Sequence, residues 1–122
     1  MNRAMTRDQV LEICAGLPGA VEDYPFGPGV AVFKVAGRMF ALVSLDGQAG
    51  SVNLKCEPLL AEDLRTRYPA VRPGYHQNKR HWNTVEFDGT VPDEEWRFMI
   101  DHSYQLVVGG LTRAERARLP ER

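Results

Sequence analysis

The sequence predicts an α+β domain: an antiparallel sheet of about five strands packed by helices in a two-layer architecture. Helix-type spacing of apolar residues occurs near both ends of the chain, and strand-type patterns follow one another closely in between. One of these strands alternates apolar and polar residues, so one face of the sheet meets water or a partner. With 122 residues, 43% of them apolar, the chain fits one domain spanning residues 1–122.

The first predicted element is a helix from Thr6 to Leu17. Thr6 and Gln9 have the spacing of a capping box, in which each side chain bonds the other residue's backbone N–H. Apolar residues then recur at i, i+3, i+4 and i+7, and Pro18-Gly19 ends the helix.

The strands come next. Chain breakers make any strand in Val21–Phe26 short or confined to an edge. Val30–Val35 and Arg38–Leu45 predict a hairpin across Ala36-Gly37, and the second of these strands is apolar on both faces, which favours a central position. Ser51–Cys56 is the alternating strand, with Ser51, Asn53 and Lys55 facing outward.

Helices dominate the second half. Pro58 opens a helix at the position where its missing N–H costs nothing. Trp82–Phe87 predicts another strand. A third helix starts at Pro92, and Thr112 with Glu115 predicts a cap for a short final helix. The inner face of the third helix comprises Trp96, Met99, Ile100, Ser103 and Val107.

Composition excludes several classes. No apolar run is long enough to span a membrane, and the N-terminal residues lack the apolar core of a signal peptide. Cys14 and Cys56 fall on apolar faces of predicted elements, as expected of small buried residues in a reducing compartment. We therefore expect a cytoplasmic protein with no membrane partner.

Positive charge is concentrated in Leu64–Val85. The segment holds five of the 15 basic residues and none of the 16 acidic ones, so the remainder of the chain is net acidic. Its cations are interleaved with aromatic residues, a combination that suits phosphates and unpaired bases. The alternative is a solvated charged face, with Tyr68 and Trp82 pointing into the core. The cations are Arg65, Arg67, Arg72, Lys79 and Arg80.

The same segment carries a family resemblance. The string Pro73-Gly74-Tyr75-His76-Gln77-Asn78-Lys79-Arg80-His81-Trp82-Asn83 closely resembles the signature stretch of the MmcQ/YjbR family. The stretches Tyr24-Pro25-Phe26-Gly27, Leu54-Lys55-Cys56 and Asp101-His102-Ser103-Tyr104 look like the same family, so the match runs from about Met5 to Leu111. Gln77 departs from the methionine that members often have. The resemblance implies a CyaY/frataxin-like arrangement and a DNA-binding label, with no catalytic residues.

The function expected from these observations is a non-enzymatic DNA-binding module that uses the loop Arg72–Trp82. We expect Arg72, Lys79 and Arg80 to contact phosphates, His76 and Asn78 to donate hydrogen bonds, and Tyr75 to stack on a base; His81 completes the set. The alternatives are a protein-interaction domain that binds an acidic peptide, a domain that binds a nucleotide or other phosphate ligand, and an enzyme.

No cofactor or metal is expected. Gly27-Pro28-Gly29 lacks the lysine of a phosphate loop, and His76 with His81 has no neighbouring carboxylate or cysteine to complete a metal site. Asp101, His102 and Ser103 are adjacent on a helix and so point in different directions, which is poor geometry for a catalytic relay. Ser103 is expected to bond the backbone of its own helix.

Overall fold

The computed structural model describes residues 4–47, 50–74 and 78–120. Within these ranges, no helix combines the length and the apolar character that crossing a membrane requires. The helices are α1 Arg7–Ala15, α2 Pro58–Arg67, α3 Asp93–Gly109 and α4 Arg113–Ala117. The strands are β1 Ala20–Asp23, β2 Val30–Val35, β3 Arg38–Ser44, β4 Ser51–Lys55, β5 Val71–Pro73 and β6 Trp82–Glu86.

The strands form one antiparallel sheet in the order β1-β2-β3-β4-β6-β5. The α+β class is confirmed, as are the central position of β3 and the edge position of β1. The sheet has six strands rather than about five, because β5 was not predicted. This three-residue strand ends in Pro73 and lies at the sheet edge, where a residue without an N–H is tolerated.

Helices cover one face of the sheet. The buried face of α3 contains every residue predicted for it, together with Tyr104. Val10 and Cys14 of α1, and Ala61 and Leu64 of α2, join the same cluster against the apolar side chains of the strands. The hydrophobic core therefore lies on this side of the sheet, which we call the helix side.

A β-bulge in β3 is held in place by Ser103. Phe33 of β2 pairs with Ala41, whereas Lys34 pairs with Met39, so Phe40 is the extra residue. The Ser103 hydroxyl donates to the Phe40 carbonyl oxygen at 2.5 Å and accepts from the Lys55 N–H at 2.8 Å. The expectation that Ser103 bonds its own helix was wrong, since its hydroxyl joins β3 to β4.

Local signals gave the expected local structures. Thr6 and Gln9 form the predicted capping box at the start of α1. The hairpin turn places Ala36 at φ 50° and Gly37 at φ 77°, the left-handed backbone that a tight two-residue turn requires. Cys14 and Cys56 are buried free thiols, and burial raises the pKa of Cys14 to about 12 and that of Cys56 to about 11.

Candidate functional site

The side of the sheet opposite the helices presents a row of side chains across four strands. Leu42 of β3 pairs with Asn53 of β4, Asn53 pairs with Thr84 of β6, and Thr84 pairs with Arg72 of β5. The Thr84 hydroxyl donates to Asn53 Oδ1 at 2.6 Å. The row therefore changes from apolar at β3 to cationic at β5.

Leu42, Asn53 and Thr84 of this row form part of the floor of a cavity of about 1020 Å³, which we call the sheet groove, and Arg72 lies at its edge. One wall includes Phe26 from the β1–β2 connection, and the other includes Gly74 and Lys79 from the β5–β6 connection. The described lining residues include two cations and no carboxylate. They are Phe26, Val30, Met39, Leu42, Ser44, Ser51, Asn53, Arg72, Pro73, Gly74, Lys79 and Thr84.

The predicted site residues separate into groups. Arg72 and Lys79 both line the sheet groove. Asn78 shapes the turn, because its Oδ1 accepts from the Arg80 N–H at 2.9 Å. Arg80 and His81 are exposed in the same turn. Tyr75 and His76 lie outside the described residues, so their predicted roles stay predictions.

The five cations of the Leu64–Val85 segment are not equally available. Arg67 bonds Asp63 at 3.0 Å and approaches Glu95 at 3.6 Å, and its guanidinium lies 5.3 Å from the centre of the Tyr68 ring. Arg72 is paired with Glu86 on the neighbouring strand. Carboxylates from outside the segment thus neutralise part of its charge.

Lys79 and Arg80 differ from these arginines. Both are exposed, and within the described part of the chain neither has a carboxylate partner. The turn therefore presents two uncompensated positive charges beside the sheet groove. Arg72, whose side chain is 59% exposed, adds a third charge if a ligand competes with Glu86.

Arg65 of α2 holds the turn at residues 78–81 in place through hydrogen bonds. Its Nε donates to Asn83 Oδ1 at 2.8 Å, and its Nη2 donates to the Lys79 carbonyl oxygen and, at 3.5 Å, to that of Trp82. Asn83 is 2% exposed, and its Nδ2 has no hydrogen-bond partner among the described residues. From its charge alone, Arg65 was counted among the five cations of the segment, whereas the structure gives it a role in positioning Lys79.

Tyr68 and Trp82, the two aromatic residues expected in the core, lie on opposite sides of the sheet. Tyr68 packs against the helix-side core, as expected. Trp82 pairs with Lys55 across the sheet, and its neighbour Asn83 faces the helix side opposite Leu54, so alternation directs the half-buried Trp82 to the groove side. The expectation of a core Trp82 was wrong, because the strand period places its ring on the other face.

In the triplet Asp101-His102-Ser103, the side chains of His102 and Ser103 bond different parts of the fold. His102 Nε2 accepts from the Glu57 N–H at 3.2 Å, and the His102 ring stacks on Phe98 at 5.7 Å between centroids. Burial lowers the pKa of His102, and the carboxylates of Glu57 and Asp101 only partly oppose this effect. These contacts belong to the helix side.

Several groove residues were missed by the sequence reasoning. Phe26 is 63% exposed at the groove wall, although its segment was interpreted as a chain-breaking connection and as part of the family resemblance, with no binding role. Ser51 and Asn53 were correctly expected to face outward. Their alternation with apolar residues was the one sequence feature that indicated residues of the groove floor. The contributions of Ser44 and Thr84 depend on strand register, which local patterns do not give.

Comparison with known proteins places the chain among bacterial relatives. The YjbR family model matches residues 15–106. The protein YjbR of Escherichia coli K12 is 37% identical over 115 residues, covering 94% of this chain and 98% of that protein. YyaQ of Bacillus subtilis is 35% identical over 116 residues, covering 84% of this chain and 98% of that protein.

Solved structures give the same result for the fold. The crystal structure of the Deinococcus radiodurans protein DR2400, which has a DUF419 domain, matches with a TM-score of 0.87 and 40% identity, covering 93% of this chain and 87% of that one. A crystal structure from Pseudomonas syringae matches with a TM-score of 0.73 and 29% identity, covering 84% of this chain and 98% of that one. Since the family model and these relatives span most of its length, the chain belongs to the YjbR family.

Proposed function

We propose that this chain is a non-enzymatic DNA-binding module whose ligand lies in the sheet groove and against the turn at residues 78–81. The observation that supports it best is the pair Lys79 and Arg80, exposed beside the groove without a carboxylate partner in the described ranges. Ammonium and guanidinium groups in that position can neutralise phosphate oxygens and release bound counterions. Arg72 on β5 extends the cationic wall.

The lining chemistry favours binding over catalysis. Among the described lining residues there is neither a carboxylate nor a histidine that could act as a general base for Ser44 or Ser51. The apolar and hydroxyl-bearing floor instead offers surface and hydrogen bonds to a ligand.

The expected affinity is modest. Two or three phosphate contacts predict a slope of log K against log salt of about −1.4 to −2.7, since each contact contributes about −0.7 to −0.9. The chain as a whole has a net charge of −1, so long-range attraction to a polyanion is weak. Binding should therefore be clear at low salt and largely lost at high salt.

The test is fluorescence anisotropy of a labelled oligonucleotide at low salt with the full chain. The double variant Lys79→Ala/Arg80→Ala should weaken binding at least tenfold and flatten the salt slope. The matched control is Arg113→Ala/Arg118→Ala, which removes two exposed cations at the C-terminal helix. Equal losses in both variants would mean that only overall charge matters, and no binding at high-micromolar wild-type protein would reject the function.

A small phosphorylated ligand is a second candidate, favoured by the volume of the groove. About 1020 Å³ with a partly apolar lining is at the upper end of the range usual for small-molecule sites, about 300–1000 Å³. A nucleoside monophosphate that raises the melting temperature while oligonucleotides do not would select this candidate over DNA.

A further inference from the structure

We infer that the sheet groove takes an unpaired base, so that the DNA is bound as a single strand rather than as a duplex. This inference rests on the proposed function and names the form of the ligand. The observation behind it is that exposed apolar groups and phosphate-binding cations share one concave surface.

The aromatic wall of the groove finds no exposed base face on a duplex. The outside of a duplex presents phosphates, sugars and the edges of its base pairs, and the flat faces of the bases are stacked within. On that outer surface, Phe26, Val30 and Met39 would contact mainly charged and polar groups. An unpaired base presents a flat π face, which stacks on aromatic side chains whatever its sequence.

Phe26 is placed for that contact. Its side chain is 63% exposed although it lines the groove, so a base can reach the ring. Arg72 and Lys79 lie on the opposite wall, beyond the floor strands β3, β4 and β6. Strands about 4.8 Å apart put roughly 15–20 Å between the two walls, a span that takes several nucleotides of one strand, with a base at one wall and phosphates further along the strand at the other.

The floor between the walls offers polar contacts to a base edge. The Ser44 and Ser51 hydroxyls are half-buried, and neither makes a side-chain hydrogen bond with another described residue. A hydroxyl both donates and accepts, so these two suit several base edges without selecting one. The single strand is therefore bound with little sequence preference.

Charge complementarity assigns the groove to a nucleic acid and not to an acidic peptide. A peptide carboxylate would satisfy Lys79 as a phosphate does, but the wall at Phe26 suits a flat aromatic group carried by the same strand as the anion, and every nucleotide of a nucleic acid supplies both. The apolar residues Val30 and Met39 beside it suit the deoxyribose, which lacks the 2′-hydroxyl of RNA.

The experiment compares three labelled probes of equal phosphate number by anisotropy: a single-stranded DNA, the same backbone with abasic sites, and a hairpin duplex. We expect the single strand to bind at least tenfold tighter than the other two. Phe26→Ala should weaken single-strand binding about 5- to 100-fold, as removal of a stacking partner does, and leave abasic binding unchanged. Phe26→Tyr should restore it.

Phe98→Ala is the matched control, since Phe98 is 47% exposed on the helix side and its loss should change none of the affinities. The inference would be overturned by equal binding of the abasic and intact strands, by equal binding of the duplex, or by equal effects of the two phenylalanine variants. A single-stranded RNA of the same sequence, added as a fourth probe, should bind no more tightly than the DNA, and tighter binding would also overturn the inference. In the duplex and abasic cases the proposed function survives if Lys79→Ala/Arg80→Ala still weakens binding. If no probe binds at low salt, the proposed function fails first.

Discussion

Replacing Arg65 by methionine tests how the turn beside the groove is held. Methionine keeps the aliphatic stem but removes the guanidinium that bonds Asn83 Oδ1, Lys79 O and Trp82 O. Asn83 is 2% exposed, and no described residue bonds its Nδ2, so within the part of the chain that the structure describes the whole side-chain amide would be left unbonded.

The magnitude follows from that loss. A hydrogen bond to a charged group contributes about 1.5–3 kcal/mol, and a buried polar group left unsatisfied costs about 1–3 kcal/mol. Arg65 is itself half-exposed, so we expect a net loss of about 2–3 kcal/mol in the free energy of unfolding. For a chain of this length that lowers the melting temperature by about 8–12 °C.

Urea and thermal denaturation followed by circular dichroism would measure the loss. In a double-mutant cycle with Asn83→Leu, the cost of Arg65→Met should fall by about 1–2 kcal/mol, since no buried amide then remains to be satisfied. Arg97→Met is the control: Arg97 makes an exposed i,i+4 pair with Asp93 and should cost less than about 0.5 kcal/mol. A loss below 0.5 kcal/mol for Arg65→Met, or strict additivity in the cycle, would refute the reasoning.

Three further predictions concern the helix side. Folding lowers the pKa of His102, so the unfolded chain takes up this proton at a higher pH than the folded protein does. The resulting stability is present above the ordinary histidine pKa of about 6.5 and is lost as pH falls from there through the pKa of the folded protein. The melting temperature should therefore decrease below pH 6.5, and His102→Gln should flatten that decrease. Ser103→Ala should lower the free energy of unfolding by about 1–3 kcal/mol in urea denaturation. Ser103→Thr keeps the hydroxyl, so comparing the two variants distinguishes the loss of its hydrogen bonds from a change in packing. Cys14 and Cys56 should resist a thiol reagent at neutral pH and react fully in denaturant; fast labelling of the native chain would contradict their burial.

The parts of the fold that the sequence predicted are those with local causes. The capping box at Thr6, the turn at Ala36-Gly37 and the apolar face of α3 each depend on residues a few positions apart. The strand β5 escaped notice because Pro69 and Pro73 indicate a chain break, and only its pairing with β6 identifies it as an edge strand.

The candidate site was predicted less completely for a related reason. The absence of acidic residues from Leu64 to Val85 is a fact about neighbours in sequence, but Arg72 meets Glu86 through strand pairing, and Arg67 meets Glu95 through helix packing. The groove floor likewise exists only once five strands are in register. Short-range patterns thus located the cationic turn and left its partners undetermined.

The strand order also bears on how the protein acquires its binding surface during folding. Strands β1 to β4 are neighbours both in sequence and in the sheet, whereas β4 pairs with β6 only after the chain between Lys55 and Trp82 has closed on itself. Closing that longer segment is the larger entropic step. A folding intermediate containing only the first four strands would have Phe26 and Leu42 but neither Thr84 nor the cationic wall, so the phosphate affinity that we propose would report completion of the last long-range pairing.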